Sequence, residues 1–204
     1  MLRVPNVWMR TCGVVALLAA AAWSMPSAVQ AQEEEAEAEA NAVAEAGPAA
    51  ADPADVESID AIIAALYDVI SGEAGEERDW DRFRSLFIPE ARLMPTWKRP
   101  DGQHGYVVWS PEQYIETAGA QLVANGFFES EEHRVTERWA DIAHAFSTYN
   151  SYRTAADMEA GTTFMRGINS LQFMWDGERW WVVSIMWEAE APHRPLTDEY
   201  LSQD

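Results

Sequence analysis

Over the last third of the chain, apolar and polar positions alternate with the two-residue period of strands. From Thr162 to Ala191 the residues are rich in β-branched and aromatic types, and Asp176-Gly177 near the middle is a strong hairpin signal. Leu171, Phe173 and Trp175 share one face of the first arm, while Trp181, Val183, Ile185 and Trp187 share one face of the second. A two-residue loop would pair odd positions with even ones and split this stripe across the sheet. The pattern therefore predicts a three-residue loop with Gly177 in the left-handed conformation, which pairs odd with odd. Gly167 and Asn169 are set into the apolar face, and the opposite face carries Arg166, Ser170, Gln172, Trp180 and Ser184.

Upstream the period changes. Ile59, Ile62, Ile63, Leu66, Tyr67 and Ile70 follow the three-and-four spacing of a helix with one buried face, closed by Ser71-Gly72. Asp79 predicts the N-cap of a short second helix with Trp80, Phe83 and Phe87 as its inner stripe and Pro89 as its end. Ala91 to Arg99 and Gln103 to Trp109 read as strands around Pro100-Asp101-Gly102. Ser110-Pro111-Glu112-Gln113 starts a third helix that stops at Asn125-Gly126. Phe128 to Trp139 and Ile142 to Arg153 then pair as a hairpin across Ala140-Asp141. Helices segregated from strands imply an α+β domain in which three N-terminal helices cover one face of a curved, antiparallel or mixed sheet of about six strands.

Composition sets the boundaries. Arg3 and Arg10 precede a short apolar run, Val14 to Trp23, and Val29-Gln30-Ala31 supplies the small residues of a cleavage site. Residues 1–31 are thus expected to be a signal peptide, and the product secreted or periplasmic. The run is too short to span a bilayer, so no stable membrane insertion is expected after cleavage. Residues 32–57, rich in Glu and Ala, lack the apolar surface to offset ordering and read as a disordered linker. The domain is expected over residues 58–191, with 192–204 as a C-terminal tail. Cys12 lies in the signal, which removes disulfides and thiol chemistry from the mature chain.

The formal charge of the whole chain is −20, and from Ser58 onward 25 acidic residues stand against 12 Lys and Arg, a net −13. Such a body repels nucleic acid and anionic lipid head groups at long range.

The element order, the aromatic final strands and the phrases AHAFSTY (Ala143 to Tyr149), RGINSLQ (Arg166 to Gln172) and DGERWWVVSIMW (Asp176 to Trp187) resemble bacterial, secreted members of the nuclear transport factor 2-like superfamily. The resemblance covers about Ser58 to Glu190. It implies a cone-shaped fold whose helices and bent sheet enclose a pocket. The superfamily holds ketosteroid isomerase, scytalone dehydratase, limonene epoxide hydrolase and polyketide cyclases, and also many binding or assembly domains without activity.

Candidate chemistry lies on the hairpin from Phe128 to Arg153. A two-residue turn sets Glu137 opposite His144 and His133 opposite Thr148, which gathers Glu131, His133, Glu137 and His144 on one face by simple alternation. A carboxylate beside an imidazole tunes a general acid or base, so His144 and Glu137 are the candidate catalytic pair. Cross-strand Glu and His pairs also decorate solvent faces. The same four side chains suit a divalent metal, yet no compact ligand motif supports one, and no metal or cofactor is expected. Asn169, Trp187, His133, Glu131, Trp97, Trp109 and Arg166 are candidate ligand-binding residues: the indoles for a flat apolar molecule, Asn169 for its polar group, Arg166 for an anion at the mouth. The expected function is binding of a small apolar molecule, or self-assembly, without catalysis. The alternatives are a cofactor-free lyase, isomerase or hydrolase using the Glu/His pair, and a scaffold whose outer sheet face, with Trp180 and Met186, forms a homodimer.

Overall fold

The computed structural model describes residues 50–99 and 101–202. The expected signal peptide and most of the expected linker lie outside the described residues.

Helix α1 (Pro53–Val56) is capped by Asp52, whose side chain accepts from the Ala54 amide. Val56 is buried in the core, so the packed domain includes residues of the stretch expected as linker. Helix α2 (Ile59–Ile70) is capped by Ser58 and buries the anticipated stripe, including Ile62, Ile63, Leu66 and Tyr67. Helix α3 (Trp80–Ser85) begins at its expected cap, Asp79. It ends earlier than expected, because Phe87 opens strand β1 (Phe87–Lys98) opposite Val182 of the last strand. Pro89 falls where the register of β1 shifts between Phe87 and Arg92, a place in a sheet that tolerates a missing amide.

A short β2 (His104–Tyr106) folds back on β1. Next, α4 (Pro111–Tyr114) starts with the full capping box of Ser110 and Gln113, and passes through a π-helical stretch (Ile115–Gly119) into α5 (Ala120–Asn125). Strands β3 (Phe128–Trp139) and β4 (Ile142–Tyr152), a short α6 (Ala155–Glu159), β5 (Met165–Trp175) and β6 (Trp180–Ala189) follow, and then a 3-10 turn (Asp198–Tyr200).

The sheet order is β2-β1-β6-β5-β4-β3, antiparallel except for the parallel pair β1 and β6. The sheet is mixed, six-stranded and open. Its concave face packs on α2, α3 and α4, and the core lies between these layers.

Two bulges set which side chains reach that face. In β3 the register shifts between Glu131 and His133, leaving Glu132 as the extra residue. In β6 the extra residue is Val183, because Phe173 sits opposite Val182 while Gln172 sits opposite Ser184. Beyond this bulge odd meets odd as expected, with Leu171 opposite Ile185 and Asn169 opposite Trp187. Nearer the turn the expectation fails. Four residues, not three, separate Trp175 from Trp180, and Gly177 has the positive φ of 104° expected of it. Trp180 is therefore buried on the core face, and Trp181 lies on the other face beside Met174. A homodimer surface built on Trp180 is excluded by that burial.

The chain after Ala191 returns across the outer sheet face. Thr148 Oγ1 donates to the Tyr200 carbonyl at 2.6 Å, and the Tyr200 ring lies 5.6 Å from Phe146.

Candidate functional site

The helices and the concave face enclose a cavity of about 200 Å³. Its walls are mostly apolar and aromatic: Leu66 from α2, Phe83 from α3, Tyr114 from α4, and Leu171, Ile185 and Trp187 from the sheet. Polar atoms come from the helices through Tyr67 and Tyr114, and from the sheet through Glu129, Tyr149 and Asn169.

Each is placed by local structure. Tyr67 follows Ile63 by one turn on the buried stripe of α2. Tyr114 ends the first turn of the capped helix, just before the π-helical stretch; such stretches carry one extra residue per turn and re-aim the side chains that follow. Tyr149 lies on β4 opposite Gly167, where a Cβ would fall 2.6 Å from the tyrosine oxygen, so the close approach of that phenol requires glycine. Glu129 precedes the β3 bulge and sits opposite Ser151 on the concave face.

A directed hydrogen-bond chain links Asn169, Glu129 and Tyr67. Asn169 Nδ2 donates to Glu129 Oε1 and to the Tyr67 oxygen, both at 3.1 Å. Ser147 Oγ donates to Glu131 Oε1 at 2.6 Å, so the 2.7 Å bond between Tyr67 and Ser147 takes its proton from the phenol. Tyr67 is thereby committed to the protein. Ser151 Oγ lies 3.4 Å from Glu129 Oε2.

Burial pushes the Glu129 carboxyl up to about 7, against the smaller lowering effects of the Asn169 and Ser151 bonds. Burial, with the Glu129 charge as the next cause, also raises Tyr67, Tyr114 and Tyr149. No Lys, Arg or His lines the cavity among the described residues.

The residues expected from sequence divide between two faces of the sheet. Asn169 and Trp187 line the cavity, and Trp109 packs behind it with its ring 6.3 Å from both Tyr114 and Trp187. Glu131 lies on the concave side, because the bulge at Glu132 breaks the alternation that had grouped it with the histidines. Its nearer partners are Ser147 and, at 3.7 Å, Arg134.

The expected catalytic pair is on the other face. Glu137 and His144 do stand opposite each other, as the two-residue turn requires, and His133 stands opposite Thr148. His144 Nε2, however, meets Ser170 Oγ at 3.1 Å, its ring lies 5.4 Å from Phe146, and Glu137 is exposed. Neither lines the cavity, and Glu131 is separated from them by the sheet. The outer pair thus has no enclosed site on which to act.

Trp97 lies toward the β1 and β2 edge, lining a different open hollow with His104 and Tyr106. Arg166 pairs with Glu190 at 2.5 Å.

Three residues that matter most were not singled out: Glu129, Tyr114 and Tyr149. From sequence Tyr67 reads only as part of an apolar stripe. The available signal was a polar residue directly after the apolar Phe127-Phe128 pair, at the entry to a strand.

No family model and no curated protein matches the chain. Solved structures do. LinA superposes with a TM-score of 0.50 at 10% identity, over 72% of this chain and 93% of that one. A Nostoc punctiforme protein of unknown function with a cystatin-like fold gives 0.49 at 15% identity, over 68% and 92%. An NTF-2 like protein of unknown function from Silicibacter pomeroyi gives 0.44 at 15% identity, over 66% and 94%. Likeness at such identities concerns the fold alone.

Proposed function

From the nuclear transport factor 2-like fold that this chain has, we propose that the protein binds a compact, mainly apolar small molecule in the cavity between helices and sheet, with Glu129 and Asn169 as its polar anchors. One observation carries this reading: an aromatic and aliphatic hollow of about 200 Å³ has a single carboxyl group on its wall, held by an amide from β5, two strands away in the same sheet. Apolar cavities of about 150 Å³ already hold benzene, so the volume suits one aromatic ring with a short substituent. Few, fixed polar groups in an apolar wall are the usual design of a ligand site.

Propylbenzene is a suitable first probe. It is expected to raise the midpoint of thermal unfolding and to change the tryptophan emission through Trp187, whose ring lines the cavity. Ala118→Phe puts a ring into the hollow from the π-helical stretch and is expected to abolish both responses. Binding that survives in Ala118→Phe would place the ligand elsewhere.

The same carboxyl supports a second reading, a cofactor-free lyase, isomerase or hydrolase. A group whose pKa is about 7 both holds and releases a proton at neutral pH, which general acid-base catalysis requires. In that reading Glu129 takes the role first assigned to Glu137 and His144.

Export completes the proposal. The apolar run Val14 to Trp23 and the small residues up to Ala31 lead us to expect a mature chain starting at Gln32. Intact mass spectrometry of the protein from its own host checks this, and a mature chain that retains Met1 would remove export by cleavage.

A further inference from the structure

We infer that the ligand of this cavity is a small organic cation, a primary or secondary amine on an apolar body, received by Glu129 and the surrounding aromatic rings. The inference rests on the cavity being a ligand site, as proposed above, and goes on to name the ligand's chemistry.

The first argument is an unbalanced charge. Glu129 takes part in no ion pair among the described residues, and its oxygens meet only the neutral Asn169 amide and the Ser151 hydroxyl. None of the basic side chains around it pairs with it: Arg134 pairs with Glu131 and Asp60 and leaves its buried Nη1 without a hydrogen-bond partner among the described residues, and Arg78 donates to the carbonyls of Ile70 and Gly72. A carboxylate in an apolar wall is unfavourable unless a positive charge meets it. Among the described residues no ion pair reaches it, so a cationic ligand is the complement.

The second argument is an unused oxygen. Tyr149 is 1% exposed, lines the cavity, and its phenol oxygen has no hydrogen-bond partner among the described residues. Buried polar atoms are nearly always satisfied, so this oxygen, packed on Gly167 at the cavity wall, is a polar group that the protein's own network leaves over. An ammonium group has more than one N–H to give. It can donate to the Glu129 carboxylate, whereas an ether or carbonyl ligand offers that carboxylate no donor.

The third argument is the wall itself. Phe83, Tyr114 and Trp187 line the same space, and the negative faces of aromatic rings attract an organic cation more strongly where water is excluded. The net charge of −13 from Ser58 onward also draws cations and repels anions at long range.

Phenethylamine, phenethyl alcohol and phenylpropanoate share nearly one shape and differ in charge. At about pH 8, phenethylamine is expected to bind at least tenfold more tightly than phenethyl alcohol, and phenylpropanoate not at all. Glu129→Gln is expected to erase the preference for the amine while still binding the alcohol, which shows that the variant is folded. Calorimetry in buffers of different ionisation enthalpy gives an independent reading. At about pH 7 the amine should release roughly half a proton on binding, because it drives a carboxyl with a pKa of about 7 to its ionised form. Equal affinity for amine and alcohol, a preference that persists in Glu129→Gln, or proton uptake in place of release would overturn the inference. If propylbenzene binds and is blocked by Ala118→Phe in that case, the ligand site stands and only the amine assignment falls.

Discussion

Glu129→Gln is expected to stabilise the folded protein by about 3 kcal/mol at about pH 8 and to change its stability little at about pH 4. The folded state holds the Glu129 proton up to about pH 7, whereas the ordinary value for the side chain is 4.5. Below the lower value both states are protonated and the wild type bears no penalty. As pH rises between the two, the unfolded chain ionises while the folded one does not, so stability falls. Above about 7 the folded protein carries the buried charge and the loss is complete. Glutamine stays neutral throughout. Its oxygen can still accept from Asn169, and Ser151 can turn its hydroxyl to accept from the new amide. Urea unfolding of both proteins across this range isolates the effect, since all other acidic groups are common to the two. Parallel stability curves would mean that Glu129 is as well solvated in the folded state as in the unfolded one. The electrostatic account of the cavity would then fail.

The prediction concerns a residue that the sequence did not point to, and the reason is physical. Signals that act within a few residues were legible: Asp79 and Ser110 cap the helices they were expected to cap, and Ala140-Asp141 sets the β3 and β4 register as read. A bulge is a compromise between two strands and leaves no comparable mark in either. The extra residue Glu132 turned Glu131 to the concave face and left His133 and Glu137 outside, so strict alternation assembled a site from opposite sides of the sheet.

Polarity was legible where it interrupted an apolar stripe. Asn169 stood out for that reason, and it is the donor that joins Glu129 to Tyr67. A tyrosine within such a stripe looks like any other large core residue. Tyr67, Tyr114 and Tyr149 therefore read as packing, although their oxygens bring polar chemistry to the cavity.

Trp180→Ala should destabilise the domain by about 3 to 5 kcal/mol, the usual cost of emptying a large aromatic site in a core. Trp180 is 2% exposed, its ring lies 5.6 Å from that of Trp175, and the Arg138 guanidinium stacks 4.6 Å above it. Trp139→Ala makes the same chemical change at a side chain that is 79% exposed, and is expected to fall within about 0.5 kcal/mol of the wild type. The comparison also tests the bulge at Val183. Uninterrupted pairing of odd with odd positions up to the turn would put Trp180 on the outer face and Trp181 in the core. The bulge reverses them: Trp181 instead closes the turn from outside, donating its indole N–H to Asp176 at 2.5 Å beneath the Arg179 guanidinium. Denaturant midpoints for the two alanine variants, measured with unchanged slopes, decide the matter. A Trp180→Ala protein as stable as Trp139→Ala would restore the unbulged register, and with it the outer face for Trp180.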